Sequence, residues 1–127
     1  PVQAPAVDRA ASAFIEDIIQ RGLYEKVLLV ITGEFGRTPK INAKGGRDHW
    51  GNLCTLAFAG GGLKMGQIIG ASNKTVSEPA RDHVSSSQLL GTVMHTLLDI
   101  PNLRLRNNFP AEIQRVITNS QPIKQLI

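Results

Sequence analysis

At 127 residues, with 42% hydrophobic and 19% charged, the chain has the size and apolar content of one globular domain with a single core. No stretch approaches the roughly 20 uninterrupted apolar residues that cross a bilayer, which excludes a membrane-spanning helix. The net charge of +4 suits an anionic partner, but the basic residues scatter from Lys40 to Arg106 with few aromatics between them, an arrangement that argues against dedicated nucleic-acid binding.

The first residues, Pro1-Val2-Gln3-Ala4-Pro5, include neither an initiating Met nor a basic-then-apolar leader and point to a processed or truncated product. From Val7 to Gln20 the apolar residues Val7, Ala10, Ala11, Phe14, Ile15, Ile18 and Ile19 recur at helical spacing, and Gly22 follows where a helix end favours positive φ. That predicts an amphipathic helix. The run Val27-Leu28-Leu29-Val30-Ile31-Thr32 is β-branched and apolar throughout, which predicts a central strand buried on both faces, and helix followed by buried strand points to a parallel α/β sheet.

Gly33 to Trp50 reads as one long loop leaving the strand's C-terminal end. A second strand is expected over 53–59, ending in Gly60-Gly61-Gly62, and a short extended piece near Gln67-Ile68-Ile69. Asn73 to Val84 reads as turns. Cys54, the lone cysteine, cannot form an internal disulfide and reads as a small core residue. Ser85 and Gln88 form a capping box ahead of a helix whose face carries Leu89, Leu90, Val93, Met94, Leu97 and Leu98 until Asp99-Ile100-Pro101 stops it. A short helix is expected over 111–117.

Ligands of parallel α/β sheets bind beyond the strands' C-terminal ends. Glu34, set between Gly33 and Gly36, is therefore placed to reach a metal or act as a base, and Arg37 to hold a phosphate or sulfate oxyanion; the alternative is an ion pair between the two that braces the turn. In Gly45-Gly46-Arg47-Asp48-His49-Trp50 an adjacent carboxylate and imidazole can bind a divalent metal, or Asp48 can orient His49 as a base; the alternative is a capped turn with a surface His and a packing Trp. His95 falls opposite the apolar stripe and is expected to be exposed beside Asp99, while His83 lies in the loop before the helix cap. Gly60 to Gly66 lacks the spacing of a phosphate-binding loop and reads as a tight strand exit.

Taken together, the stretch from Val27 through Gly33-Glu34-Phe35-Gly36-Arg37-Thr38-Pro39, then Gly45-Gly46-Arg47-Asp48-His49-Trp50, then Ala59-Gly60-Gly61-Gly62-Leu63 with Gly66, closely resembles the family known as domain of unknown function 1501. Its members look like a branch of the alkaline-phosphatase-like superfamily and are often labelled sulfatases. The resemblance implies that residues 1–127 are the C-terminal fragment of one sulfatase-like α/β domain, part of a sandwich with a mostly parallel sheet and flanking helices. It also implies an exported protein, periplasmic or extracellular.

By the superfamily pattern Glu34 matches the Asp of a strand-end Asp-His metal pair, Phe35 stands where the His belongs, and His49 matches a later His ligand; Arg47 and Asp48 are typical neighbours. The implied function is metal-dependent hydrolysis of sulfate or phosphate esters. A divalent ion (zinc, calcium or magnesium) is held partly by Glu34 and His49, and Arg37, Arg47 and Asp48 serve the chemistry, with the nucleophile outside this sequence. The implied partners are the N-terminal remainder of the same protein or a second copy, and a sulfated or phosphorylated small molecule or polysaccharide. The alternative is a non-catalytic anion- or polysaccharide-binding or structural protein on the same fold.

Overall fold

The structure is a computed structural model that describes residues 3–105 and 110–127; Arg106 lies outside them. Its first element, α1 (Gln3–Gln20), begins four residues earlier than the apolar pattern alone indicates. Its end follows from Gly22, whose φ of 67° lets the chain reverse. The Gly22 and Leu23 amides then bond back to the carbonyls of Ile19 (3.0 Å) and Ile18 (2.8 Å), the paired closure of a Schellman motif. Arg21 caps the same turn through Asp17 at 2.8 Å. The Asp17 hydrogen bond, and secondarily its charge, raise the Arg21 guanidinium above its ordinary pKa. Of the predicted apolar stripe only Ile18 is buried, whereas Val7, Phe14 and Ile19 are exposed.

The apolar run forms β1 (Leu28–Ile31), which pairs antiparallel with β4 (Ala57–Gly60), Leu28 opposite Gly60 and Ile31 opposite Ala57. This corrects the expectation of a parallel sheet. It also corrects the central position expected of β1, which is half-buried over Leu28–Val30 and exposed at Ile31. An unbroken apolar run reports that both faces want cover; it carries no information on strand direction, which depends on how the chain returns. Here the return is fixed by a glycine. A side chain on Gly60, at φ 79°, would strike the carbonyls of Val27 and Tyr24, and the Gly61 amide bonds to both carbonyls at 2.9 Å.

Two further antiparallel pairs lie inside stretches that read as irregular. β2 (Gly36–Arg37) pairs with β3 (His49–Trp50), and β5 (Ala71–Ser72) with β6 (Pro79–Arg81). The second of these takes the place of the extended piece expected at Gln67–Ile69. Cys54 is exposed rather than core, with its thiol donating to the Gly33 carbonyl at 3.3 Å.

α2 (Ser86–Leu97) has the predicted capping box: Ser85 Oγ accepts from the Gln88 amide at 3.2 Å, and the Ser85 amide donates to Gln88 Oε1 at 3.0 Å. Its buried face is Gly91 and Thr92 rather than the leucine stripe, and Leu90 and Leu97 are exposed. The reason is the tail. Thr92, 0% exposed, donates to the Gln88 carbonyl at 2.8 Å and accepts the Ile123 amide at 2.9 Å. A Cβ on Gly91 would lie 2.7 Å from the Gln121 carbonyl oxygen. Asp99 does not pair with the half-buried His95; it caps α3 (Ile100–Arg104) through the Asn102 amide at 3.2 Å. α4 (Ala111–Asn119) precedes the tail. The buried apolar residues, Ile18, Ile100, Ile117, Ile123 and Leu126, come from the helices and the tail.

Thr92→Val leaves the buried Ile123 amide without its acceptor and is expected to cost about 1–3 kcal/mol, with Thr92→Ser largely spared. Ile100→Ala, at 1% exposure, is expected to cost about 2–5 kcal/mol. Urea unfolding of the three variants against the parent chain measures both.

Candidate functional site

The residues nominated from sequence lie on or beside one self-braced loop. Asn42 organises it: its Oδ1 accepts the Lys44 and Gly46 amides at 3.0 Å each, and its Nδ2 donates to Asp48 Oδ1 at 2.8 Å. The ends are tied by the Thr38 amide to the Asp48 carbonyl at 3.0 Å and by the Asp48 amide to Thr38 Oγ1 at 3.1 Å. Arg47 completes the brace by donating to the carbonyls of Thr38 (2.7 Å) and Pro39 (2.5 Å). Arg47 and Asp48 thus hold the loop's shape.

That shape sets β3 against β2, with Arg37 opposite His49. The ring of Phe35 lies 4.0 Å from that of His49, centroid to centroid and tilted by 31°. The Arg37 guanidinium carbon sits 6.0 Å from the Phe35 centroid, at the outer limit of cation–π contact. Its NH1 donates a long bond of 3.5 Å to the Arg47 carbonyl. Glu34 and Arg37 are both exposed, and among the described residues they form no ion pair with each other. Gly36 has to be a glycine, because a Cβ there would run into the Leu53 carbonyl.

Glu34 and Arg37 line an open cleft of about 1200 Å³, and Cys54, Lys64, Met65, Arg81 and His83 line it too; Arg47, Asp48 and His49 do not. Lys64 and Met65 lie in the loop after β4 that reads from sequence as a tight strand exit, and Arg81 in a stretch that reads as turns. Of the cleft's cations, Lys64 Nζ donates to the Ile127 carbonyl at 2.6 Å and Arg81 faces Asp82 at 3.5 Å. Among the described residues Arg37, with one long bond of 3.5 Å, and Arg81, with one ion pair of 3.5 Å, both keep guanidinium donors in reserve.

Trp50 reaches across from β3, its indole N–H donating to the Ser77 carbonyl at 2.7 Å. The receiving turn is built on Asn73, whose Oδ1 accepts the Ser77 amide and the Thr75 hydroxyl at 3.0 Å each. It holds Val76 at φ 55°, left-handed backbone that a β-branched side chain adopts only under constraint.

Glu34 and His49 are the two metal donors that the resemblance nominates. A divalent ion takes four or more ligands, and among the described residues no group of three His, Cys, Asp or Glu side chains comes together to hold one. The residues present do not by themselves make a metal site.

The architecture is a mixed α/β arrangement of helices and small antiparallel sheets, with an open cleft beside a braced loop. The chain belongs to the family described as "Protein of unknown function (DUF1501)", whose model matches residues 1–127. No curated protein and no solved structure matches it.

Replacing Asn42 with Ala removes an acceptor for two amides and the partner of Asp48 in one change. Because the loop is exposed, the expected effect is local opening rather than global unfolding. Trypsin should cut after Lys40 and Lys44 severalfold faster in Asn42→Ala than in the parent, at unchanged thermal midpoint.

Proposed function

We propose that this chain supplies the oxyanion-recognising wall of a sulfate- or phosphate-ester hydrolase. The observation that carries the reading is Arg37: it lies on the wall of the cleft beside Glu34, stands opposite His49 in the β2–β3 pair, and its side chain makes, among the described residues, one long hydrogen bond at 3.5 Å. A guanidinium with donors to spare is matched to a planar pair of sulfate or phosphate oxygens. Arg47, already bound to two carbonyls, and Asp48, bound to Asn42, contribute by keeping β3 in place. A divalent ion belongs to this reading with Glu34 and His49 among its donors; its other donors and the nucleophile come from polypeptide beyond these 127 residues. The exposed apolar face of α1, with Val7, Phe14 and Ile19, favours such a polypeptide partner, whether the remainder of the same protein or a second copy.

One observation favours a second reading, a non-catalytic anion- or polysaccharide-binding protein on this fold. Phe35 stands where a metal-binding His is expected, and its ring packs on His49. Metal analysis of the protein isolated from its source separates the two. The hydrolase reading expects a stoichiometric divalent ion that is lost in Glu34→Gln and His49→Ala; the binding reading expects anion affinity with no bound ion.

For the isolated chain the expected outcome is binding without turnover, since oxyanion recognition without a nucleophile leaves the chemical step unassisted. Calorimetry should give saturable binding of inorganic sulfate or phosphate, weakened about tenfold in Arg37→Gln, which corresponds to about 1.4 kcal/mol. Hydrolysis of an aryl sulfate or aryl phosphate by the 127-residue chain alone would overturn this assignment.

A further inference from the structure

A sulfate or phosphate group fills only a small part of a cleft of about 1200 Å³, so the remaining space has to receive whatever the group is esterified to. Beyond Arg37 the lining is mixed: Asn52, Thr55, Gln67 and His83 are polar, while Leu53, Leu56, Phe58, Met65, Leu89 and Leu126 give it an apolar stretch. That stretch favours an apolar body, which releases water from it, and disfavours a hydroxylated one, whose groups lose water there and find no partner.

Two of the polar side chains in the lining are already committed. Gln67 Nε2 donates to the Lys64 carbonyl at 2.8 Å and the Gln125 carbonyl at 2.7 Å. Ser85 Oγ accepts the Gln88 amide of the helix cap at 3.2 Å. Among the described lining residues the aromatic rings are Phe58 and the imidazole of His83, so the stacking surfaces that suit sugar rings are few. Met65, unbranched and polarizable, suits an apolar body of variable shape.

We infer that the ester recognised here carries an apolar alcohol portion, alkyl or aryl, lying between Leu56, Phe58 and Met65 with its anionic group at Arg37. This rests on the ester-site reading of the cleft.

The test is calorimetry on the 127-residue chain with four probes: inorganic sulfate, hexyl sulfate below its micelle concentration, hexanol and glucose 6-sulfate. The expected result is hexyl sulfate binding at least tenfold tighter than glucose 6-sulfate. Met65→Gln should abolish that difference, and Arg37→Gln should bring hexyl sulfate down to the level of hexanol. Circular dichroism checks that both variants fold. Equal affinities for hexyl sulfate and glucose 6-sulfate, or a preference for the sugar, overturn the inference while leaving the ester site standing. Hexanol binding as tightly as hexyl sulfate, with inorganic sulfate not bound, overturns the ester reading beneath it and the inference with it.

Discussion

The hydroxyl of Thr92 is the point on which the helical part of the molecule depends. It is fully buried and makes two hydrogen bonds at once, one back into its own helix and one to the amide of Ile123. The neighbouring Gly91 lets the backbone of residues 120–121 lie directly on the helix, closer than any side chain permits. Because the tail is seated this way, Ile123 and Leu126 become core residues. The tail then reaches the exit of β4, where the Lys64 amide bonds to the Leu126 carbonyl at 2.8 Å and Gln67 bonds to Gln125. One wall of the cleft therefore exists because a threonine on α2 accepts a distant amide.

What could be read from the sequence was whatever depends on neighbours along the chain. The end of α1 at Gly22 and the Ser85–Gln88 box on α2 follow from side-chain chemistry within a few residues, and both stand where the pattern put them. The strand at Leu28–Ile31 was visible from its β-branched run, but its antiparallel partner was not, because direction depends on a return path some 25 residues long closed by the Gly60 contact. The leucine face of α2 misled for a related reason: hydrophobicity identifies residues that want cover, whereas Gly91 and Thr92 were selected by how closely a remote backbone approaches.

The site was legible in location and less so in division of labour. The Gly33–Trp50 stretch stood out by its glycines and charges, and Glu34 and Arg37 do face the cleft. Arg47 looked equal to Arg37 in sequence, yet it is bound to the carbonyls of Thr38 and Pro39. Only the folded loop distinguishes an arginine that braces from one with donors to offer. Likewise, nothing local to Phe35 announces that its ring will lie against His49, since the contact arises from the β2–β3 pairing.

The bond from Trp50 to Ser77 joins two segments 27 residues apart. It ties the strand bearing His49 to the turn that holds Val76 in left-handed backbone. Since Trp50 is the only tryptophan in the chain, this cross-link is also a built-in optical reporter: an indole released from the Ser77 carbonyl changes its surroundings, and no other indole masks its emission. The seating of the Asn73 turn beside the cleft can therefore be followed by intrinsic fluorescence in the unlabelled protein.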